Sequence, residues 1–249
     1  MRSDIIYKHI RYIIGDKYYS LKYKQEYTIS NNKLLKLKNR FIDKDCVIIG
    51  TGNSLNYTNM SILKDKYVFG VNTLFNGFDK YGIKPDFYVV GDTNVYNNHK
   101  NKLKALRSML FIVGYAGRNY LKEKNNDDLT NNIITMKPLF DSYKFSENIA
   151  DGIYHGGTVI YLCLQIAYYM GFKNVHLIGC DSDYTIKQHF DDSKIDSLSG
   201  IAIGDCDKSF KFYKLAKKVF EDDGKRIINS TVGGKLEVFD RRWKRFVWI

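Results

Sequence analysis

The run from Val159 to Met170 is apolar nearly all round, and it lies between a Gly156-Gly157-Thr158 turn and Gly171. A helix of this kind is buried on every side, and a glycine directly after a helix is a typical C-cap. The segment 174–179 that follows has the short apolar pattern of a central strand. The sequence therefore predicts a helix that packs on a sheet and leads into one of its inner strands.

Further strands and helices alternate along the rest of the chain. Short runs rich in β-branched and aromatic residues predict strands, a weaker one lies at 132–136, and helices are predicted between them. The other strands lie at 45–50, 66–71, 86–91, 109–113 and 226–229, and the other helices at 58–65, 94–107 and 208–222. This alternation predicts the α/β class, with a Rossmann-like, mainly parallel sheet, helices on both faces and right-handed crossovers.

One domain with terminal extensions is expected, because the chain of 249 residues has only 2 prolines and no linker rich in Pro, Gly or Ser. Residues 45–240 are assigned to the Rossmann-like domain. Residues 1–44 are predicted to be a basic helical extension, in which the isoleucines between Ile5 and Ile14 fall near one face. Residues 241–249 are predicted to be a basic aromatic tail.

The net charge of +12 is unevenly distributed, with an excess of Lys and Arg in residues 1–40 and again in the tail. Basic residues interleaved with aromatic ones suit an anionic membrane surface. A solvated, lysine-rich surface explains the same charge without any partner. Nucleic acid is a third interpretation, but no helix-turn-helix, zinc-finger or ribonucleoprotein motif supports it. We therefore expect no nucleic-acid partner.

Composition points to a cytoplasmic protein. No apolar stretch approaches the roughly 20 residues that a membrane helix needs, and basic residues interrupt the N-terminal apolar runs that a signal peptide would require. The four cysteines have no C-x-x-C spacing, which argues against a zinc site and for reduced thiols. The basic, aromatic termini add the expectation of peripheral contact with the inner membrane.

A turn that contains two glycines follows the first predicted strand directly, with the sequence Gly50-Thr51-Gly52-Asn53-Ser54-Leu55. A tight turn before a helix leaves backbone N–H groups unpaired, and such groups attract phosphate. The turn is not the dinucleotide fingerprint, because Leu55 takes the place of the third glycine. It is not a P-loop either, because no Gly-Lys-Ser/Thr follows. A turn with glycines for steric reasons alone is the alternative.

Polar residues collect at the ends of the predicted strands, where parallel α/β sheets bind ligands. Asn72 ends the second strand, Asp92 ends the third, and Asp181 follows the strand at 174–179. The Gly156-Gly157-Thr158 turn offers further N–H groups at a helix start. The predicted nucleotide-binding residues are Gly50, Thr51, Gly52, Asn53, Ser54, Asn72, Gly156, Gly157, Thr158, Asp181 and Tyr184.

The predicted catalytic residues are His189 and Asp92. His189 lies in the polar segment 185–207, which is predicted to be a loop that closes over substrate, and it is the preferred general base. His155, beside the second glycine turn, is the runner-up. His176 alternates with core residues and is expected to be structural.

The Asp181-x-Asp183 pair allows two roles. The two carboxylates could hold Mg²⁺ that bridges phosphates, since Mg²⁺ favours one or two carboxylates together with phosphate oxygens. Alternatively, Asp181 could accept hydrogen bonds from ribose hydroxyls. The metal assignment of Asp181 and Asp183 applies only if the protein transfers phosphate groups.

Four motifs occur in order along the chain. They are Val-Ile-Ile-Gly-Thr-Gly-Asn-Ser-Leu (47–55), Lys-Pro-Asp-Phe-Tyr-Val-Val-Gly-Asp (84–92), Gly-Gly-Thr-Val (156–159) and Met-Gly-Phe-Lys-Asn-Val-His-Leu-Ile-Gly-Cys-Asp-Ser-Asp-Tyr (170–184). Together they resemble the 6-hydroxymethylpterin pyrophosphokinase-like family. This family includes the motility accessory factors, which glycosylate flagellin with sialic-acid-like sugars. The order of motifs is also similar to that of bacterial CMP-sialic-acid transferases of the Campylobacter and Haemophilus type.

The resemblance implies a Rossmann-like fold with the nucleotide over the glycine turn. It implies that Asn53 and Ser54 contact phosphate, Asn72 the nucleotide and Asp181 the ribose. It also implies that His189 is the base. Thr51 and Asn53 replace the Asn and Pro of the usual Gly-Asn-Gly-Pro-Ser-Leu form, so Thr51 would take over the contacts of that asparagine.

Two enzymatic hypotheses follow. The first is a glycosyltransferase in bacterial surface polysaccharide or glycoconjugate assembly. It would use a CMP-linked, sialic-acid-like sugar, a glycan or lipid-linked acceptor and no required cofactor. The alternative is a Mg²⁺-dependent pyrophosphokinase that acts on a pterin-like alcohol with ATP, with Asp92, Asp181 and Asp183 on the metal. The basic, aromatic termini favour the first.

Overall fold

The computed structural model describes residues 17–123, 132–139, 143–182, 190 and 206–242. The strands in these residues are β1 (Asp45–Ile49), β2 (Tyr67–Val71), β3 (Phe87–Val90), β4 (Met109–Val113), β5 (Ile133–Met136), β6 (Pro138–Leu139), β7 (Ile153–Tyr154), β8 (Asn174–Ile178), β9 (Arg226–Asn229) and β10 (Asp240–Arg241). Eight of them form one sheet in the order β10-β9-β8-β1-β2-β3-β4-β5, and β6 pairs with β7. Every pairing is parallel.

The helices of the described residues alternate with these strands. They are α1 (Lys24–Leu35), α2 (Phe78–Tyr81), α3 (Thr93–Lys104), α4 (Gly114–Glu123), α5 (Val159–Met170) and α6 (Cys206–Asp222). Short 3-10 helices span Asn53–Tyr57, Met60–Leu63 and Leu74–Gly77. Parallel strands need such crossovers, because each strand must start again from the same end of the sheet.

Both faces of the sheet are covered, as the α/β prediction requires. One hydrophobic cluster joins the sheet to α5 and α6, and the other joins its opposite face to α3 and α4. Helix α5 confirms its prediction, since Ile160 to Met170 are all buried and Gly171 ends the helix in the left-handed conformation, with φ 90°. The chain is therefore a Rossmann-like α/β fold with a sheet buried on both sides.

Some elements differ from the prediction. The short helix expected at 58–65 is a 3-10 helix over Met60–Leu63, and Asn59 Oδ1 caps it by accepting a hydrogen bond from Ser61 N at 2.9 Å. The segment is too short for an α-helix, since Asp65 already has a positive φ of 59° and β2 begins at Tyr67. Helices α2 and α4 and the short strands β6, β7 and β10 were not predicted.

Helix α1 packs against the edge strand β5. The Ser30 hydroxyl accepts a hydrogen bond from Thr135 N at 3.1 Å, and Lys33 Nζ donates to Ile133 O at 3.1 Å. Leu34 is fully buried in the same hydrophobic cluster as α5. The described part of the predicted extension 1–44 thus contacts the sheet, and at the other end Arg241 belongs to β10. The domain boundaries themselves remain predictions, and the isoleucines of residues 5–14 lie outside the described residues.

None of the helices in the described part of the chain is long and apolar enough to span a bilayer.

Candidate active site

The strand order reverses direction between β1 and β8. From β1 the chain adds β2, β3, β4 and β5 on one side, and it then crosses to β8 on the other. Ligands of open α/β sheets bind at such a switch point, beyond the carboxyl ends of the strands. The glycine turn, residues 50–55, follows β1 at this place, and Gly179 to Ser182 follow β8.

The two glycines of the turn allow the loops after β1 and β8 to approach closely. Gly50 N donates to Ile178 O and Gly52 N to Gly179 O, each at 2.8 Å. A Cβ atom at Gly50 would lie 2.3 Å from Gly179 O, which no side chain could tolerate. Position 50 must therefore be a glycine, because only a residue without a side chain lets the loops after β1 and β8 pack together at the switch point.

Asp181 reaches across the switch point to Ser54. Its carboxylate accepts hydrogen bonds from Ser54 N, at 2.9 Å, and from the Ser54 hydroxyl. The prediction that the N–H groups of the turn are unpaired is thus wrong for Gly50, Gly52 and Ser54. The close contact with β8 supplies two carbonyl acceptors and one carboxylate, and these satisfy the N–H groups within the chain. Asn53 is half-buried, and its Oδ1 accepts from Asn56 Nδ2 at 3.0 Å.

The residue after His189 is anchored against the glycine turn. Phe190 N donates to Thr51 O at 3.0 Å, and Phe190 O accepts from Asn56 Nδ2 at 3.3 Å. The Phe190 ring is buried and meets the ring of Tyr81 edge to face at 5.6 Å. Asp183, Tyr184, His189 and most of the predicted loop 185–207 lie outside the described residues.

Asn72 ends β2 in the left-handed conformation, with φ 44°. Its backbone is braced by β3, because Asn72 N donates to Val89 O at 3.1 Å and the Tyr88 hydroxyl donates to Asn72 O at 2.9 Å. Its side-chain Oδ1 accepts a 3.5 Å hydrogen bond from Gly91 N. Asn72 therefore joins the ends of β2 and β3 at the predicted site.

Asp92 and His155 come together at this edge. Asp92 is the N-cap of α3, and its Oδ1 accepts from Asn94 N at 2.7 Å and Val95 N at 3.1 Å. Burial lowers the pKa of His155 below its ordinary value, although a hydrogen bond with the Gly91 backbone and the charge of Asp92 act in the opposite direction. His155 is exposed as a whole residue, although the protein around its ring desolvates the ring enough to lower this pKa. A neutral imidazole can accept a proton at pH 7.

The turn after His155 opens helix α5. Gly156 and Gly157 have positive φ values of 59° and 76°, and the Thr158 hydroxyl caps the helix by accepting from Ile160 N at 3.3 Å. Tyr213 of α6 approaches the same hydroxyl at 3.4 Å. The predicted helix start is thus confirmed as a capped N-terminus, which carries a partial positive charge.

Gln165 holds the backbone of the residue before His155, and it was not predicted from the sequence. It is fully buried in α5, where its Oε1 accepts from Ser146 N at 3.0 Å and from Tyr154 N at 3.1 Å, and its Nε2 donates to Tyr154 O at 2.7 Å. The segment before His155 is thereby fixed to the helix that follows it. One amide in an otherwise apolar helix was the signal in the sequence.

The buried thiols are unsuited to nucleophilic catalysis. Burial raises the pKa of Cys180, next to Asp181, to about 12, and it raises the pKa of Cys46 and Cys163 well above the ordinary value. A thiol attacks as the thiolate, which burial suppresses here. Within the described residues, no group of three His, Cys, Asp or Glu side chains could hold a metal ion.

The fold and this edge define a class: a Rossmann-like α/β domain with polar side chains gathered at its topological switch point. More narrowly, the chain belongs to the 6-hydroxymethylpterin diphosphokinase MptE-like family, whose model matches residues 21–187. This confirms the family resemblance. No protein of curated function matches the chain.

Two solved structures share the fold. The MAf glycosyltransferase from Magnetospirillum magneticum AMB-1 aligns with 90% of this chain at a TM-score of 0.53 and 12% identity, and the aligned part is 39% of that protein. The sialyltransferase CstII from Campylobacter jejuni, solved with the substrate analogue CMP-3FNeuAc, aligns with 80% of this chain and 86% of its own, at a TM-score of 0.53 and 15% identity. At such identities the likeness establishes a common fold.

Proposed function

We propose that this protein is a glycosyltransferase that uses a CMP-linked, sialic-acid-like sugar to build bacterial surface polysaccharide or glycoconjugate. The observation that carries the proposal is the convergence of Asp92, His155 and the α5 N-terminus at the edge that also holds the switch point. The fold it has in common with two glycosyltransferases, one of them solved with a CMP-sugar analogue, supports this choice.

The cytidine and ribose would lie over the glycine turn, and the phosphate would face the start of α5. The phosphate is placed there because Gly50, Gly52 and Ser54 already use their N–H groups within the chain. Asp181 accepts two hydrogen bonds from Ser54, but a carboxylate has about four acceptor positions. It can therefore also accept a hydrogen bond from a ribose hydroxyl.

The transfer reaction breaks the bond between the anomeric carbon and the phosphate oxygen, and it forms a bond from that carbon to an acceptor hydroxyl. CMP leaves with the bonding electrons, and the α5 N-terminus would stabilise its phosphate charge. A general base takes the proton of the acceptor hydroxyl. We assign this role to His189, because the adjacent Phe190 is held against the glycine turn. His155 is the second candidate, favoured by its neutral imidazole beside Asp92.

The alternative is the Mg²⁺-dependent pyrophosphokinase that the family name describes. Its metal would need free carboxylate oxygens near the phosphates. Among the described residues, both oxygens of Asp181 contact Ser54 and Asp92 Oδ1 caps α3, and no group of three His, Cys, Asp or Glu side chains is placed to hold a metal. This donor set favours the transferase.

Calorimetric titration with nucleotides separates these functions. We expect CMP to bind and to keep its affinity in EDTA, and ATP to bind more weakly with or without Mg²⁺. ATP binding that requires Mg²⁺, without CMP binding, would support the kinase instead. Binding of RNA alone, with a steep dependence on salt, would support a nucleic-acid module.

We further propose that the enzyme works at the cytoplasmic side of the inner membrane, near lipid-linked acceptors. The net charge of +12 and the basic, aromatic tail support this location, since cationic segments with Trp and Phe bind anionic lipid surfaces.

A further inference from the structure

Three aromatic rings form a continuous row on the side of α5. The ring of Tyr161 in α5 lies 5.1 Å from that of Phe212 in α6, and Phe212 stacks on Tyr143 at 5.2 Å with 27° between the planes. The row crosses from α5 over α6 to the segment before β7.

The inner end of this row touches the candidate active site. A Cβ atom at Gly156 would lie 2.1 Å from the Tyr161 ring, so this ring packs directly on the glycine backbone beside His155. Nearby on α6, Ser209 Oγ lies 3.6 Å from the position that a Cβ atom of Gly157 would take. The row therefore starts at the place where the proposed reaction occurs.

The outer end of the row faces solvent. Tyr143 is 48% exposed, and its φ of 57° is a left-handed conformation that costs a bulky residue about 1 kcal/mol or more. Lys211 Nζ lies 5.6 Å from the centre of its ring. Lys211 is exposed, so its charge remains available to a ligand. An exposed aromatic ring in a strained conformation beside a cation is a pattern that occurs at binding sites.

We propose that Tyr143, Phe212 and Lys211 form the subsite for an acidic sugar of the acceptor glycan. This inference rests on the proposed glycosyltransferase function. A sugar ring presents a face of C–H bonds with small positive charge, which suits the negative face of an aromatic ring. Lys211 supplies the charge that a sugar carboxylate requires. Two ring-to-ring steps separate this subsite from the start of α5, so a bound glycan would extend toward the site of transfer.

The test is the binding of two probe sugars to the CMP-saturated protein, measured by saturation-transfer NMR. The probes are the acidic sugar 3′-sialyllactose and the neutral sugar lactose. We expect Tyr143→Ala to weaken binding of both about tenfold, from loss of the aromatic face, and Tyr143→Phe to restore it. Lys211→Gln should weaken only sialyllactose. Tyr18→Ala is the matched control, because Tyr18 is 56% exposed, lies edge to face with Tyr19 and has Lys22 Nζ at 5.8 Å from its ring.

Three results would overturn the inference: no sugar binding by the wild-type protein, equal affinity in Tyr143→Ala, or an equal loss in Tyr18→Ala. Failure of the proposed function has a different signature, namely that CMP itself does not bind in the preceding titration. In the described residues, the rings of Phe212 and Tyr161 separate Tyr143 from the start of α5, so CMP affinity should be the same in all four variants.

Discussion

The side-chain amide of Gln165 forms two hydrogen bonds with the backbone of Tyr154, as a neighbouring strand would in a β-sheet. Gln165 Oε1 accepts from Tyr154 N at 3.1 Å, and Gln165 Nε2 donates to Tyr154 O at 2.7 Å. A side chain of α5 thus takes the place of a neighbouring strand for the residue just before His155. The backbone directly before this histidine is therefore held by an amide that is itself fully buried.

Gln165→Met, which keeps the volume and removes the amide, should lower the free energy of unfolding by about 3 kcal/mol. The reason is that the backbone groups of Ser146 and Tyr154 would stay buried without partners. The pKa of His155 should rise toward its ordinary value of 6.5 as its surroundings loosen. Denaturant unfolding and NMR titration measure both effects. Gln25→Met, at an exposed position of α1, should change neither, and a similar loss in this control would contradict the positioning role.

Asp92→Asn should lower the pKa of His155 further. The Asp92 charge raises this pKa, and the variant removes the charge while keeping an N-cap of nearly equal strength for α3. NMR titration of the His155 ring gives the result directly. Asp79→Asn, at an exposed position of α2, is the control and should leave the titration unchanged. An unaltered midpoint in Asp92→Asn would show that the two side chains are not coupled.

The same pKa predicts how stability depends on pH. Because the folded pKa of His155 lies below 6.5, the unfolded chain binds more protons between these two values. The contribution of His155 is therefore complete above pH 6.5 and is lost as the pH falls through the folded pKa. We expect His155→Gln to lose less stability than the wild-type protein between pH 7 and pH 5 in urea titrations. Parallel losses would contradict this.

His189→Ala should lower turnover by about 10²-fold or more, the usual contribution of a general base, with CMP affinity near that of the wild-type protein. His155→Ala is the comparison, and we expect it to cost less. Steady-state kinetics and calorimetry on the two variants decide the assignment. A large loss confined to His155→Ala would transfer the role of base to His155.

Gly50→Ala should destabilise the protein by about 1–3 kcal/mol, because the new methyl group would press on Gly179 O and force β1 and β8 apart. CMP affinity should fall as well, since the switch point would widen. Gly224→Ala also costs stability, through its positive φ of 67°, but a methyl group there meets no atom within 4 Å. This control should bind CMP normally. Normal CMP binding in Gly50→Ala would show that the glycine turn is not part of the nucleotide site.

Deletion of residues 243–249 should weaken binding to phosphatidylglycerol vesicles and leave the weak binding to phosphatidylcholine unchanged. The deletion spares Arg241, whose guanidinium donates to Gly233 O and Gly234 O at 2.8 and 2.7 Å and so belongs to the fold. Co-sedimentation measures the effect. Equal sedimentation of the full-length and shortened proteins would instead support the interpretation of the tail as a solvated surface without a membrane role.

The sequence predicted the inner elements of the fold and missed those at its margins. Strand β1 is almost entirely buried, β8 buries Val175, Leu177 and Ile178, and α5 is apolar on nearly every side, so each has a pattern of its own. Strand β10 has only 2 residues, too few to show a period. Helix α4 has 10 residues, and its buried Ala116, Tyr120 and Leu121 are at helical spacing, a signal that the interpretation of 115–150 as a polar segment overlooked.

The site was predicted as a set of residues, but its contacts were not. Gly50, Asn72, Asp92 and Asp181 were all placed at strand ends, where the structure has them. The bond between Asp181 and Ser54 depends on how far β8 extends beside β1, which no local pattern encodes. The same holds for the electrostatic interaction of His155 with Asp92, which depends on how α5 packs on β3.

Strand β5 is at the edge of the sheet, so its outward-facing groups Thr135 N and Ile133 O have no neighbouring strand. They are hydrogen-bonded instead to the side chains of Ser30 and Lys33 in α1. Left open, a flank of this kind accepts a strand from another molecule. A chain shortened to begin at residue 45 would lack α1, and the edge of β5 would then be exposed. We expect such a shortened protein to associate with itself through β5.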